Sequence, residues 1–117
     1  MRDTSGAVSE MAHARRRVAS VEASGGLAGV RGVLCDQARL RIVSALEGAR
    51  LPVGALATVI GRQVPATSQH LRILRELGLV SARRSGSQVY YSLRSGAATA
   101  QVRAILAAVR RQGSPPA

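Results

Sequence analysis

The sequence predicts a mainly α-helical domain of about five helices with one small β-hairpin, and two observations lead to this prediction. Hydrophobic residues make up 46% of the 117 residues, whereas aromatic residues make up only 2%. The core must therefore consist of Leu, Val, Ile and Ala, which suit packed helices better than a sandwich of sheets. The hydrophobic period also changes along the chain, from helical spacing before Gly78 to alternation after it. A chain of this length forms one domain with one core.

The chain divides into three predicted parts. Residues 1–26 have nearly balanced charge and weak periodicity, and we expect them to form an arm that is flexible or partly helical. Residues 27–111 carry regular hydrophobic patterns and are predicted to form the globular domain. Residues 112–117 contain Gly113 followed by a serine and two prolines, so we expect a disordered C-terminal tail.

Four short helices are predicted in the first part of the domain. Apolar residues recur at helical spacing in residues 27–34, and a second helix follows Asp36, which is a good N-cap. The third helix has Pro52 near its first turn and ends at Gly61, and the fourth begins at Pro65. Two short helices separated by a turn that contains glycine are typical of a helix-turn-helix.

A β-hairpin and a last helix are predicted after these four helices. In residues 88–93 apolar side chains alternate with polar ones, and Ser85-Gly86-Ser87 supplies the turn. A helix-turn-helix followed by such a hairpin is a winged helix, and the hairpin is its wing. The last helix is predicted from Ala97 to about Arg111, because its apolar residues recur three and four residues apart.

The charge of the chain favours a polyanionic partner. It has 17 basic and 6 acidic residues and a formal net charge of +11, and every basic residue is Arg. Such a balance indicates nucleic acid or an anionic membrane surface. Coding composition would explain Arg in place of Lys but not the excess of positive charge. The membrane surface is disfavoured because the N-terminal arm lacks a broad apolar face.

The chain carries no pattern that indicates export or membrane insertion. Its one cysteine, Cys35, cannot form an intrachain disulfide. No apolar run approaches the roughly 20 residues of a membrane span. The residues that follow the Arg15-Arg16-Arg17 triplet are too polar for an export signal. We therefore expect a cytoplasmic protein without a membrane partner.

The second helix of a helix-turn-helix lies in the major groove of double-stranded DNA, so its outward polar residues are candidates for base contacts. The candidates are Thr67, Ser68, Gln69, His70 and Arg72, with Arg75 as a phosphate contact one turn later. The candidates on the wing are Arg83, Arg84, Ser87 and Gln88. An Arg at a wing tip can enter the minor groove, where the negative potential is strong.

The alternative for these polar residues is a solvated face without a partner. The combination of helix, wing and net charge disfavours that alternative for the group. For His70 alone, a DNA contact is favoured over a structural role, and a structural role over metal ligation.

Three segments of the chain resemble the ArsR/SmtB family of bacterial winged-helix repressors, in consistent order over about residues 27–110. Leu34 to Val43 (LCDQARLRIV) resembles the family's L-A-D-P-T-R-L-R-I-L segment. Pro65 to Val80 (PATSQHLRILRELGLV) resembles its P-T-V-S-x-H-L-x-x-L-R-x-A-G-L-V recognition segment. Residues 84–93 (RSGSQVYYSL) resemble its R-x-G-x-x-V-x-Y-x-L wing.

The resemblance implies a homodimer that packs its first and last helices together. It also implies repression by binding to an inverted-repeat operator, with release when an effector binds. The residues expected at the dimer contact are Leu27, Val30, Val102, Ile105, Leu106 and Val109. The alternative for the last helix is packing within one subunit, and such a helix can do both.

The metal-sensing residues of the family do not carry over to this chain. Members that sense thiophilic metals have two thiolates in an L-C-V-C-D-L segment, where this chain has Pro52 and Gly54. Other members use Asp and His ligands along the last helix, but residues 97–111 contain no Asp, Glu, His or Cys. A tight site needs three or four ligands, so we expect neither a metal nor a cofactor. A nickel or zinc effector held across the dimer stays open as the alternative.

Cys35 has two interpretations. It is either a redox-reactive thiol, which needs a lowered pKa and access to solvent, or a small buried residue where the family has Ala. The second interpretation is favoured because free cysteines are commonly buried.

A sequence-specific transcriptional regulator that acts as a repressor is the function favoured by these observations. A non-specific, nucleoid-type DNA-binding protein is the alternative, and the polar set on the recognition helix with its single wing disfavours it. An enzyme is not expected, because the chain has no Ser/His/Asp set, paired acids, P-loop or dinucleotide fingerprint.

Overall fold

The computed structural model describes residues 4–23 and 26–113. These ranges contain α1 (Thr4–Ala23), α2 (Gly26–Leu34), α3 (Gln37–Ala45), β1 (Leu51–Pro52), α4 (Val53–Ile60), α5 (Val64–Glu76), β2 (Val80–Ser85), β3 (Gln88–Leu93) and α6 (Ala97–Gly113). The predicted winged helix-turn-helix, mainly helical with a small sheet, is confirmed. The described part has six helices, one more than about five, because α1 occupies most of the N-terminal arm.

The ends of the chain differ in part from their predictions. The arm contains a 20-residue helix, which agrees with its partly helical alternative, whereas its predicted flexibility stays a prediction. At the other end α6 continues to Gly113, so the first two residues of the predicted disordered tail are helical. Residues 114–117, which make up the rest of that tail, lie outside the described residues. No helix in the described ranges is both long enough and apolar enough to cross a membrane.

Local signals in the sequence explain where the helices around the turn begin and end. The carboxylate of Asp36 caps α3 by accepting a hydrogen bond from the backbone N–H of Arg39 at 3.1 Å. Gly61 ends α4 with φ 70°, a left-handed conformation that glycine adopts without a steric penalty. Pro65 lies in the first turn of α5. Backbone N–H groups there have no partner within the helix, so the N–H that proline lacks costs no hydrogen bond. The turn between α4 and α5 is therefore short and firmly defined.

One apolar core contains side chains from each of the helices α2 to α6 and from the start of β2. Its buried members are Val33, Ile42, Val43, Leu46, Leu56, Ile60, Leu71, Leu74, Leu79, Val80, Val102 and Leu106. Burying one such side chain contributes roughly 1.5–3 kcal/mol. Because Leu71 and Leu74 anchor one side of α5 in this core, the opposite side of α5 has a fixed orientation toward solvent.

The sheet has the strand order β1-β3-β2 and is antiparallel. The hairpin register runs from Val80 opposite Leu93 to Ser85 opposite Gln88. The strand β1 was not predicted, because two residues are too short to show an alternating pattern. It pairs with the edge of β3 that faces away from β2, and it thereby connects the start of α4 to the wing.

Candidate nucleic-acid interface

The exposed side of α5 presents polar and basic residues. The structure places Ser68, Gln69, Arg72 and Arg75 there, all exposed, as the sequence predicted. Arg72 forms an ion pair with Glu76 at 3.7 Å, and the two side chains are 73% and 67% exposed. An ion pair this exposed contributes about 0–1 kcal/mol, so it holds Arg72 only weakly. The Arg72 guanidinium is therefore free to exchange this partner for another anion.

Thr67 does not lie on that exposed side, and the prediction that it points outward is wrong. Its side chain is 0% exposed, and its hydroxyl donates to the carbonyl of Gln63 at 2.9 Å. Thr67, Leu71 and Leu74 stand four and three residues apart, which places them on one face of a helix. That spacing is the signal that could have assigned Thr67 to the core.

His70 lies at the edge of the exposed side and is half-buried, so its predicted outward position is only partly right. Its Nδ1 accepts a hydrogen bond from Nε of Arg39 at 3.4 Å. The same guanidinium donates to the carbonyl of Gly32 at 3.1 Å and lies 4.0 Å from the carboxylate of Asp36. His70 thus connects α5 to α2 and α3.

Charges in this network also act on Asp36. Burial alone would raise the pKa of Asp36, but four influences together hold it below its ordinary value of 3.8. They are the hydrogen bond from the backbone of Arg39, the charge that His70 carries when it is protonated, the charge of the Arg39 guanidinium and a hydrogen bond from the backbone of Ala38. The carboxylate is therefore the form that the folded structure favours.

The wing exposes all four of its predicted contact residues, Arg83, Arg84, Ser87 and Gln88. Successive strand residues point to opposite faces of a sheet. Arg83 is paired with Tyr90, whose ring lies 5.5 Å from the guanidinium carbon of Arg50, and Arg84 is paired with Val89. The two wing arginines therefore point to opposite faces of the hairpin.

A cleft of about 550 Å³ separates α5 from β2, and it contains a basic residue that the sequence did not single out. It is lined by Arg72, Arg75, Glu76, Val80, Ser81, Ala82 and Arg94. Arg94 follows β3 directly, and its backbone N–H donates to the carbonyl of Leu79 at 2.9 Å. Arg50, beside Tyr90, was also missed. No periodicity marks either residue, because both lie just outside a strand.

The residues predicted for the dimer contact divide into two groups. Val102 and Leu106 are 0% and 6% exposed within the single chain, so their assignment to a dimer surface is wrong: they complete the subunit core. Ile105 and Val30 are half-buried, Val109 is 59% exposed, and the side chain of Leu27 lies outside the described residues. Further apolar exposure is found on α1, at Val8, Met11 and Val18.

Cys35 is exposed, so the favoured prediction of a buried cysteine is wrong. It lies in the turn between α2 and α3, where its backbone N–H donates to the carbonyl of Arg31 at 3.0 Å. A side chain in this turn points away from the core. Among the described residues, no group of three or more His, Cys, Asp or Glu side chains could hold a metal ion.

Comparisons with known proteins agree with this geometry. The model of the family described as "Bacterial regulatory protein, arsR family" matches residues 36–82, from the N-cap of α3 into β2. The HTH-type transcriptional regulator NmtR from Mycobacterium tuberculosis is 40% identical over 72 residues. That alignment covers 62% of this chain and 60% of NmtR, so the chain spans about 60% of the length of this curated relative.

Solved structures with the same fold cover more of the chain. The crystal structure of NolR from Sinorhizobium fredii aligns with a TM-score of 0.66 and 34% identity, over 83% of this chain and 93% of that one. A second neighbour is the homodimeric winged helix-turn-helix DNA-binding domain of a possible ArsR-family transcriptional regulator from Mycobacterium bovis. It aligns with a TM-score of 0.66 and 27% identity, over 83% of this chain and 87% of that one.

Proposed function

Since the chain belongs to the arsR family of bacterial regulatory proteins, we propose that it is a sequence-specific, DNA-binding transcriptional regulator of the cytoplasm. In this proposal a homodimer represses from an inverted-repeat operator, and an effector releases it. Residues 27–111 bind DNA and dimerise, and the N-terminal arm adds α1 to the dimer. Membership in a family of regulatory proteins also supports the expectation that the chain is not an enzyme.

The observation that carries the proposal is the exposed face of α5. Ser68, Gln69 and Arg72 offer donors and acceptors on a helix that the core holds at a fixed angle. Such a helix fits the major groove, where the pattern of donors and acceptors differs for every base pair. An Arg at this face can pair with both acceptors of a guanine. This arrangement supports sequence-specific binding over binding by charge alone.

The wing and the cleft support a role in holding the DNA backbone. A helix in the major groove and a wing in the neighbouring minor groove would lie on either side of one sugar-phosphate strand. The cleft between α5 and β2 is lined by Arg72, Arg75 and Arg94, so it matches that strand in charge. Each Arg that neutralises a phosphate releases counterions, and this makes binding weaker at higher salt. We assign Arg83, Arg84, Ser87 and Gln88 to the wing contacts.

Exposed apolar residues support the homodimer. Val8, Met11 and Val18 on α1 and Val109 on α6 are each more than half exposed, at 66%, 55%, 57% and 59%. A helix with such a stripe is usually covered by a partner surface. A second copy of the chain is the partner we propose, because first and last helices both carry this exposure. The homodimeric state of the neighbour from Mycobacterium bovis supports the same assignment.

Fluorescence anisotropy tests the proposal. The parent chain would first select a duplex from a random-sequence pool, and random duplex would then compete with the labelled selected one at physiological salt. We expect a preference above about 10³-fold for the selected duplex, whereas a much lower ratio would favour the nucleoid-type protein. Arg72→Ala should weaken binding by roughly tenfold or more, and Arg111→Ala, at the far end of α6, serves as the matched control.

The same assay identifies the class of effector. Nickel, zinc and an oxidant would each be added to the preformed complex. Loss of binding with either metal would indicate ligands drawn from both subunits, since a group of three is absent from the described residues of one. Loss with the oxidant, abolished in Cys35→Ser, would indicate the exposed thiol.

A further inference from the structure

We propose that Arg39 makes His70 a hydrogen-bond donor to DNA, by occupying Nδ1 and thereby placing the imidazole proton on Nε2. The partner of Nε2–H is then an acceptor, either a phosphate oxygen or an acceptor atom on a base edge. This inference rests on the proposed function and adds to it the chemistry of one contact.

The geometry around Nδ1 leaves one assignment for the proton. A guanidinium carries five N–H donors and no acceptor. Nε of Arg39 lies 3.4 Å from Nδ1 of His70 and donates to it, so Nδ1 must present its lone pair. A neutral imidazole carries one proton, which must therefore sit on Nε2. Without such a partner, a neutral imidazole exchanges between its two tautomers.

Arg39 is itself held by a carbonyl of α2 and by the residue that caps its own helix, α3. It donates from Nη1 to the carbonyl of Gly32 at 3.1 Å, and Nη2 lies 4.0 Å from Oδ2 of Asp36. Its side chain is only 20% exposed. The guanidinium therefore has a fixed position, and the hydrogen bond to His70 fixes the ring as well as its tautomer.

The opposite edge of the ring is available for a partner. Within residues 4–23 and 26–113, Nε2 has no hydrogen-bond partner. His70 is partly exposed and adjoins Gln69, which is fully on the exposed side of α5. A metal would need further His, Cys, Asp or Glu ligands nearby, and the described residues supply no such group. A hydrogen-bond acceptor on the bound DNA matches both the chemistry and the place of Nε2.

NMR of the free protein tests the role of Arg39 without DNA. In chain labelled with ¹⁵N-histidine, two-bond ¹H–¹⁵N spectra distinguish the two tautomers, and His70→Gln separates the signals of His70 from those of His13. We expect His70 to show protonated Nε2 and a hydrogen-bonded Nδ1. Arg39→Met should return Nδ1 to the shift of a free imidazole. Arg41→Met is the matched control, because Arg41 donates to the carbonyl of Ile60 instead.

Two results would overturn this part of the proposal. One is a proton on Nδ1 in the parent chain. The other is an Nδ1 shift that Arg39→Met leaves unchanged. Neither result depends on whether the chain binds DNA.

Substitutions at His70 test the contact itself, with the duplex that the parent chain selects from a random pool. His70→Gln keeps an N–H donor, so affinity should stay within about threefold of the parent, whereas His70→Leu should lose about tenfold or more. Arg39→Met should fall between them. If His70→Gln and His70→Leu lose the same affinity for the duplex, the role of His70 as a hydrogen-bond donor is overturned. If no duplex is selected, the proposed function fails, whereas the NMR result on Arg39 still stands.

Modified duplexes distinguish the two sources of the acceptor. A neutral methylphosphonate at one position, or a base analogue that lacks one acceptor on its major-groove edge, should abolish the difference between His70→Leu and the parent. The first result assigns a phosphate and the second a base. If the difference survives in every modified duplex, His70 acts on the fold alone and the contact with DNA is refuted.

Discussion

The guanidinium of Arg110 forms a two-pronged ion pair with the carboxylate of Glu47, with Nη1 3.0 Å from Oε2 and Nη2 3.1 Å from Oε1. The second nitrogen also donates to the hydroxyl of Ser44 at 2.6 Å. Because Glu47 is 63 residues away along the chain, this pair fastens α6 to the end of α3. We expect Glu47→Gln to lower the free energy of unfolding by about 0.5–1 kcal/mol, as measured by urea denaturation. Glu76→Gln, which breaks the exposed pair with Arg72, is the control and should change stability less. Equal losses would show that the bidentate geometry contributes nothing.

Thr67 and its neighbour Ser68 should respond differently to substitution. Thr67→Val removes a buried hydroxyl, but the carbonyl of Gln63 keeps the backbone N–H of residue 67 as a donor. Stability should therefore change by less than about 1 kcal/mol, and DNA affinity should not change. Ser68→Ala should instead leave stability intact and weaken binding to the selected duplex. Calorimetry and anisotropy on the same samples would decide, and a loss of affinity in Thr67→Val would place this residue at the interface after all.

Arg94 should contribute to the salt dependence of DNA binding. Loss of one phosphate contact changes the slope of log affinity against log salt by about 0.9. We expect Arg94→Ala and Arg84→Ala each to make the slope less negative by about that amount. Arg111→Ala, whose side chain is exposed at the end of α6, should leave it unchanged. If the salt dependence of Arg94→Ala has the same slope as that of the parent chain, the sugar-phosphate backbone of the DNA does not enter the cleft.

Asp36 should make stability depend on pH in the acid range. Its pKa in the folded chain is lowered below 3.8, so its carboxylate stabilises the fold above that value. This contribution disappears as the pH falls below 3.8 and through the folded pKa. Asp36→Asn keeps a good N-cap but removes the charge. At neutral pH its free energy of unfolding should therefore be lower than that of the parent chain, and this deficit should vanish in acid. Asp36→Ala also loses the cap and should cost about 1 kcal/mol more. A deficit of Asp36→Asn that stays constant as the pH falls well below 3.8 would contradict the electrostatic origin.

Met11 should be part of the dimer contact. A charge placed at a buried interface is costly, so Met11→Glu should weaken self-association by about tenfold or more. Val59→Glu is the matched control, because Val59 is 62% exposed on α4 and lies outside the proposed contact. Sedimentation equilibrium would measure both variants. A dimer unaffected by Met11→Glu would remove α1 from the interface.

The sequence predicted the elements whose signals are local. Helical spacing, with glycine at the ends of helices, placed α4 and α5, and Gly86 marked the turn of the wing. It could not assign residues whose positions depend on distant partners. His70 looks like any polar helix residue until Arg39, 31 positions away, is placed beside it. Val102 looks like dimer surface until α2 is packed against α6.

The same limit applies to the candidate site. The exposed face of α5 was predicted because the helical period of its apolar residues alone decides which residues lie opposite the core. Thr67 was assigned to the exposed face because its side chain is polar, although its spacing from Leu71 places it on the buried face of α5. Arg94 was missed because its place in the cleft follows from the closing of the sheet over α5, which no pattern within one segment records.

The strand order gives the two wing arginines a further consequence. Because β1 pairs with β3, no strand in the described part of the chain covers the outer edge of β2, which carries Arg83 and Arg84. An uncovered edge can pair with the edge of another molecule and start aggregation, and like charges along it prevent that pairing. The wing of the unbound protein is thus protected by the charges that are assigned to its contact with DNA. Neutralising both at once would expose a bare edge, so variants of the wing should keep one charge to remain in solution.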